Sequence, residues 1–198
     1  KRLRASWEAK SPGMEETKMK KYTGRYTTKT RAALKKYPIY CQISGEDSAE
    51  GNIYVCNGFF IWRMNRLEYG AVVQPVTCCD PGNWVIDSNG KRDDDTRNIA
   101  KLFADNVAAL ADAAKMQCAP LEFQFGAKES ARCYYSRKGD FVAFYNVKYL
   151  EPLAVAELRA LRPTSAAAAY WDGEPYAVVM PIRETGKAVD AIKAYFTE

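Results

Sequence analysis

Residues 141–184 constrain the fold more than any other stretch of the chain. They read as a strand, a short helix, a strand, a tight turn and a strand. Phe141–Tyr145 is a continuous apolar run of strand length. Asn146 can cap a helix over Val147–Leu161, with Pro152 suggesting a start nearer Glu151, because proline is tolerated in a first turn and not deeper. Arg162-Pro163 stops it. Ser165–Trp171 and Tyr176–Ile182 are then strands around a turn at Asp172-Gly173. Antiparallel strands follow from so short a connection.

The rest of the chain repeats this vocabulary. Residues 1–20 are polar, broken by Ser11-Pro12-Gly13, and form a basic, flexible leader. Lys29–Lys36 reads as a short helix capped by Thr28. Ile39, Cys41 and Ile43 alternate as on a strand. Gly45–Gly51 is an acidic turn. Asn52–Met64 holds two apolar runs around Asn57-Gly58, a type I′ hairpin signal. Tyr69–Val76 reads as extended and Thr77–Gly82 as a loop. Trp84–Ile86 begins a strand that turns at Ser88-Asn89-Gly90. Thr96–Met116 is the longest helix expected, with Ile99, Leu102, Phe103, Val107, Leu110 and Ala114 on one face and Asp95 or Thr96 as cap. Leu121, Phe123 and Phe125 alternate, Arg132–Ser136 is a short aromatic strand, and Thr185–Phe196 is a final amphipathic helix.

This order predicts an α+β fold with a mostly antiparallel sheet. Helices and strands do not alternate strictly, which argues against a doubly wound sheet. No repeat of 20–50 residues is present, so a solenoid is not expected. A chain of 198 residues suits one sizeable core.

Composition restricts the chemistry. The chain has no histidine. Ser-His-Asp and Cys-His catalysis and histidine-ligated metals are thereby excluded. The cysteines at 41, 56, 78, 79, 118 and 133 form no Cys-x-x-Cys pair, and a reduced, cytoplasmic setting with buried free thiols suits them. No apolar run is long enough to span a bilayer, and no signal-peptide core is visible at the start. Gly-x-Gly and Gly-Lys-Ser/Thr motifs are absent, so no cofactor is implied. Asp93-Asp94-Asp95 is read as a favourable acidic flank of the following helix. A divalent-metal site there is the sharper alternative, and an enzyme built on Asp87, Asp93, Asp94, Asp95 and Asp140 is the corresponding functional one.

Charge is unevenly placed. Residues 1–40 hold twelve Lys/Arg against three Asp/Glu, while the chain as a whole carries +5. Lys18, Lys20, Lys21, Arg25, Lys29, Arg31, Lys35 and Lys36 are the residues expected to meet phosphates, a contact that carries no sequence specificity. Thirteen tyrosines and four tryptophans supply amphipathic anchors for a partner interface. Trp62, Trp84 and Trp171 suit the core better.

One resemblance sharpens the reading. Phe144-Tyr145-Asn146-Val147-Lys148-Tyr149-Leu150, followed by a helix, two strands and Val179-Met180-Pro181-Ile182-Arg183, resembles the final unit of bacterial and phage DNA sliding clamps. It is firm over about 45 residues, and a looser likeness extends over 21–183. It implies a single clamp-like domain of two βαβββ-type units, with halves of about 21–118 and 119–183, followed by an extra C-terminal helix over 184–198. It implies a non-enzymatic DNA-replication accessory or partner-binding adaptor of phage or mobile-element origin, with non-specific DNA or replication proteins as partners. It also implies a peptide pocket near Tyr149, Leu150, Met180, Pro181, Ile182 and Arg183. A clamp subunit of that family carries three such domains and ends just past the arginine. This chain has room for one, so a ring would need oligomerisation, and the added helix could cover the pocket. The alternative is a protein-interaction module that does not touch nucleic acid. No catalytic, cofactor or metal residue is assigned.

Overall fold

The computed structural model describes residues 26, 28–36, 38–44, 51–125, 129–146, 149, 157–182 and 187–197. A 3₁₀ helix, Thr28–Lys35, is followed by strands β1 (Ile39–Ser44), β2 (Asn52–Cys56) and β3 (Phe60–Met64). Helices α1 (Arg66–Val72) and α2 (Gln74–Thr77), strands β4 (Trp84–Ile86) and β5 (Arg92–Asp94), and helix α3 (Ile99–Ala109) come next. Then follow β6 (Lys115–Phe125), β7 (Glu129–Ser136), β8 (Phe141–Asn146), β9 (Glu157–Arg159), β10 (Ala167–Trp171), β11 (Glu174–Val179) and the C-terminal helix α4 (Lys187–Thr197).

The fold is α+β. Its eleven described strands form one sheet in the order β5-β4-β1-β2-β3-β11-β10-β9-β6-β7-β8. Every strand pairing among the described residues is antiparallel. At its centre two three-strand meanders, β1-β2-β3 and β9-β10-β11, face each other across the β3–β11 seam. Each meander follows helical backbone: the 3₁₀ helix precedes β1, and Tyr149 lies in helical backbone ahead of β9. The side chains Ala33 and Leu34 from the first and Tyr149 from the second join the same core cluster, so both lie on one face of the sheet.

Strand β6 belongs to two ladders in succession. Lys115 and Met116 pair with β9, while the residues from Gln117 onward pair with β7. The β6–β7 register slips between Cys118 and Glu122. Pro120 sits there, and proline has no N–H to give to a ladder. Beyond β11 the chain returns to the far edge: the Ile182 N–H donates to the Phe144 carbonyl at 2.7 Å. A circuit of six strands is thereby closed.

Trp62, Trp84, Tyr69, Tyr176, Phe60 and Met64 are large, fully or almost fully buried members of one core cluster. Burial of each such side chain is worth roughly 1.5–3 kcal/mol. On the outer face α3 lays Ile99 and Phe103 over Tyr54, Cys56, Ile61 and Val178. Further along, α4 covers β6–β8 with Ile192, flanked by Val189 and Phe196.

Several local expectations are corrected. Tyr69–Val76 is helical, not extended. Asn65 and Glu68 form a capping box, the Asn65 side chain accepting from the Glu68 N–H at 2.8 Å and the Glu68 carboxylate accepting from the Asn65 N–H at 2.9 Å. Two otherwise orphaned donors are satisfied, which outweighs the strand preference of the valines that follow. Pro75 stands at the start of α2, where its missing N–H costs nothing. The expected helix 147–161 does not reach Arg159: Glu157–Arg159 is β9, paired with both β10 and β6. Leu158 is fully buried there, and tertiary pairing overrides the helix propensity of the Glu-Leu-Arg run. The helix expected over Thr96–Met116 is shorter, running Ile99–Ala109, and Asn98, not Asp95 or Thr96, caps it. Asp93 and Asp94 do not flank that helix, because they belong to the edge strand β5.

The turns are the remaining point of difference. At the β2–β3 turn only Gly58 has positive φ, so the geometry is not the expected type I′. The Asn57 N–H donates to the Phe60 carbonyl at 3.3 Å, which makes Gly58 the first of two central residues, as in a type II′ turn. The β10–β11 turn is the type I′ one: Asp172 at φ 51° and Gly173 at φ 82° are both left-handed.

Candidate functional site

Of the residues expected to act, Lys36, Tyr149 and Met180 are brought together around Phe59. Their meeting point is the tip of the β2–β3 hairpin. Asn57 anchors this tip by donating from its side chain to the Ala33 carbonyl of the 3₁₀ helix at 3.2 Å. The turn therefore projects Phe59 outward beside the end of that helix.

Phe59 is 48% exposed, unusual for a large aromatic ring. Tyr149 supports it from behind, the two rings stacked with centroids 5.9 Å apart and planes 7° apart. Tyr149 also tilts against Phe60 at 5.6 Å and is itself buried. It thus acts as the backing of the site and does not line its mouth. Met180, 43% exposed, sits alongside, its N–H donating to the Phe59 carbonyl at 2.8 Å. The Lys36 ammonium lies 5.7 Å from the Phe59 ring centroid, within the range of a cation–π attraction. An exposed aromatic, a thioether and a cation therefore share one patch. Nothing in the sequence reasoning singled out Phe59; the Phe59-Phe60 pair after a turn was the available signal, since a strand buries alternate side chains.

The expected pocket residues divide. Met180 faces the Phe59 patch, Pro181 is half-buried, and Ile182 turns to the other side, packing in the cluster formed with α4. Leu150 and Arg183 lie outside the described residues.

The expected cations divide as well. Lys35 and Lys36 are exposed at the end of the 3₁₀ helix, where positive charge also complements the helix dipole. Arg31 is half-buried, its guanidinium donating to the Ala71 carbonyl at 2.6 Å. It ties the 3₁₀ helix to α1 and is not displayed to solvent like the lysines. Lys29 lies within the 3₁₀ helix. Lys18, Lys20, Lys21 and Arg25 lie outside the described residues.

Of the five carboxylates proposed for an enzyme, four are employed separately. Asp87 accepts from the Asn89 and Lys91 N–H groups at 2.9 and 2.8 Å, and these bonds hold its carboxyl below the usual range. Asp93 accepts from the Asp94 N–H, and Asp95 pairs with Arg97 at 3.6 Å. Asp140, on the β7–β8 turn, pairs with Lys193 of α4 at 3.0 Å, and that ammonium lowers its pKa. Among the described residues no group of three or more potential ligands could hold a metal ion. A shallow cavity of about 370 Å³ opens at the β10–β11 turn, lined by Glu157, Tyr170, Trp171, Asp172 and Gly173. Its Glu157 is already bridged to Lys115 at 2.5 Å and Arg159 at 2.6 Å, so the carboxylate is committed to structure.

All six cysteines are free thiols. Burial pushes Cys41 and Cys133 up to about 12, the opposite of what a nucleophilic thiolate needs. No helix among the described residues is long and apolar enough to cross a membrane. No family model, no curated protein and no solved structure matches the chain.

Proposed function

We propose that the chain is a non-enzymatic, clamp-like scaffold that contacts DNA without sequence preference and presents a patch to a protein partner, as a replication accessory or adaptor would. The observation that carries this reading is the strand order β1-β2-β3 against β11-β10-β9, each meander preceded by helical backbone on the same face of the sheet. Such an order is what two βαβββ-type units related by a pseudo-two-fold axis at the β3–β11 seam would produce. On this reading the units are built around the two meanders, while β4–β7 and α1–α3 are connections between them.

The 3₁₀ helix then presents Lys35 and Lys36 outward, continuous in sequence with the basic leader. Phosphate contacts of this kind act through charge and position, not base reading. The charged, exposed edge strand β5, Arg92-Asp93-Asp94, discourages edge-to-edge joining of copies. One-sided contact with the duplex therefore fits better than encirclement. Phe59 and Met180 supply the apolar anchors of the partner patch, with Lys36 at its rim.

Titrating a fluorescent duplex with the full chain and with residues 21–198, over 50–200 mM salt, tests the DNA contact. Binding should weaken linearly in log–log salt coordinates and be weaker without the leader. Absence of binding at the lowest salt in both forms sinks the DNA reading and leaves the Phe59 patch as a protein-interaction surface.

A further inference from the structure

The outer face of β6–β8 is apolar, and among the described residues it is covered by α4 together with Ile182. Ala119, Ala131, Cys133, Val142 and Phe144 form it, and Ile192 of α4 seals it. The contribution of α4 is narrow. Ile192 is its one described side chain that is buried, while Val189 and Phe196 are half-buried and Tyr195 is 56% exposed. Phe196 stacks on Tyr135 at 5.1 Å. Its ion pair with the body, Lys193 to Asp140, is exposed, with the Asp140 side chain 72% accessible, and such pairs contribute little. Ile182 packs in the same cluster as Ile192, so the position of the helix and that of the Met180–Ile182 tail are linked.

Val189, Ile192 and Phe196 stand at i, i+3 and i+7, with Lys193 at i+4 opposite Asp140. This is the spacing by which an amphipathic helix fills a groove. Elements with few buried contacts open at lower free energy than the sheet they rest on. We propose that α4 is a displaceable strap occupying a helix-binding groove on the outer face of β6–β8. The groove's partner is then an amphipathic helix with apolar residues at i, i+3 and i+7 and a cation at i+4. This groove is distinct from the Phe59 patch, and its existence does not depend on DNA binding.

The test uses a labelled peptide of residues 184–198 added in trans to the full chain and to its Ile192→Asp variant. With a tether giving an effective concentration on the order of 1 mM, and a groove Kd on the order of 100 μM, the native strap suppresses trans binding about tenfold. The variant, its own strap released, should therefore bind the peptide about tenfold more tightly, and a peptide carrying Ile192→Asp should not bind. Hydrogen exchange on the unaltered chain should show α4 amides exchanging about 100-fold faster than those of β7 and β8. Equal peptide binding by both proteins, global unfolding of the variant, or α4 amides as protected as those of β8 would each overturn the proposal and make α4 an integral part of the core.

Discussion

Tyr26 offers the sharpest test of how the two meanders are joined. Its hydroxyl lies 3.0 Å from the Arg63 carbonyl on β3 and 2.9 Å from the Tyr176 carbonyl on β11. The β3–β11 ladder pairs Phe60 with Val179, Ile61 with Val178 and Trp62 with Ala177. Arg63 and Tyr176 are the next residues across the seam, where the paired register has ended. Tyr176 is also skipped by the β10–β11 register, which steps from Ala169–Ala177 to Tyr170–Pro175. A single phenolic proton is thus shared between two carbonyls at the ladder's end. Tyr26→Phe keeps the ring, which packs against Trp62 at 5.4 Å and Tyr176 at 5.7 Å, and removes only the donor. Losing one neutral hydrogen bond and leaving buried acceptors poorly satisfied costs about 1–2 kcal/mol. For a chain of this length that lowers Tm by roughly 3–6 °C. Tyr26→Ala removes the ring as well and should cost about 3–5 kcal/mol. Urea unfolding followed by tryptophan fluorescence reads both. A Tyr26→Phe midpoint indistinguishable from wild type would falsify the claim that this hydroxyl closes the seam.

Other predictions concern turns and thiols. A Cβ added at Gly139 would lie 2.6 Å from the Phe141 ring, closer than real contacts allow, so Gly139→Ala should displace that buried ring and destabilise the chain by about 1–3 kcal/mol, read as a lower urea midpoint. Gly173→Ala meets open space but keeps φ at +82°, so it should cost only the backbone strain, about 1 kcal/mol. Cys41 and Cys133 rise from an ordinary 9.0 to about 12 because burial disfavours the thiolate. The unfolded chain loses these protons near pH 9 and the folded chain holds them, so stability is full below pH 9. It should then fall as pH rises towards 12, by about 1.4 kcal/mol per pH unit for each thiol, in urea titrations at stepped pH. A thiol reagent at pH 8 should label the exposed Cys78 and Cys118 quickly and Cys41 and Cys133 only on unfolding.

Local signals in the sequence were legible where they act over a few residues. The turn expected at Asp172-Gly173 forms there, and the alternation of Ile39 and Cys41 matches their burial. Where two local signals compete, the sequence misleads. Asn65 and Glu68 cap a helix that the valines after Tyr69 disguised, and Asn57-Gly58 turns one residue later than the dipeptide alone suggests. The long-range pairings, β3 with β11 and β6 with β9, leave no local trace, because what stabilises them is a partner strand far away in the chain. Leu158 is the plainest case: a helix-forming Leu in a helix-forming run becomes a core strand residue once β6 and β10 flank it. In the candidate site, Tyr149 and Met180 carry the sequence resemblance, and the structure sets them beside Phe59. Phe59 was missed because its exposure depends on the turn register.

The account's central claim, a scaffold that meets DNA through the end of the 3₁₀ helix, is tested most directly by the salt dependence of duplex binding in the Lys35→Ala/Lys36→Ala double variant. Each phosphate contact contributes about 0.9 to the slope of log K against log salt. The account predicts weaker binding to every duplex alike and a slope shallower by about 2. An unchanged slope with unchanged affinity would contradict it.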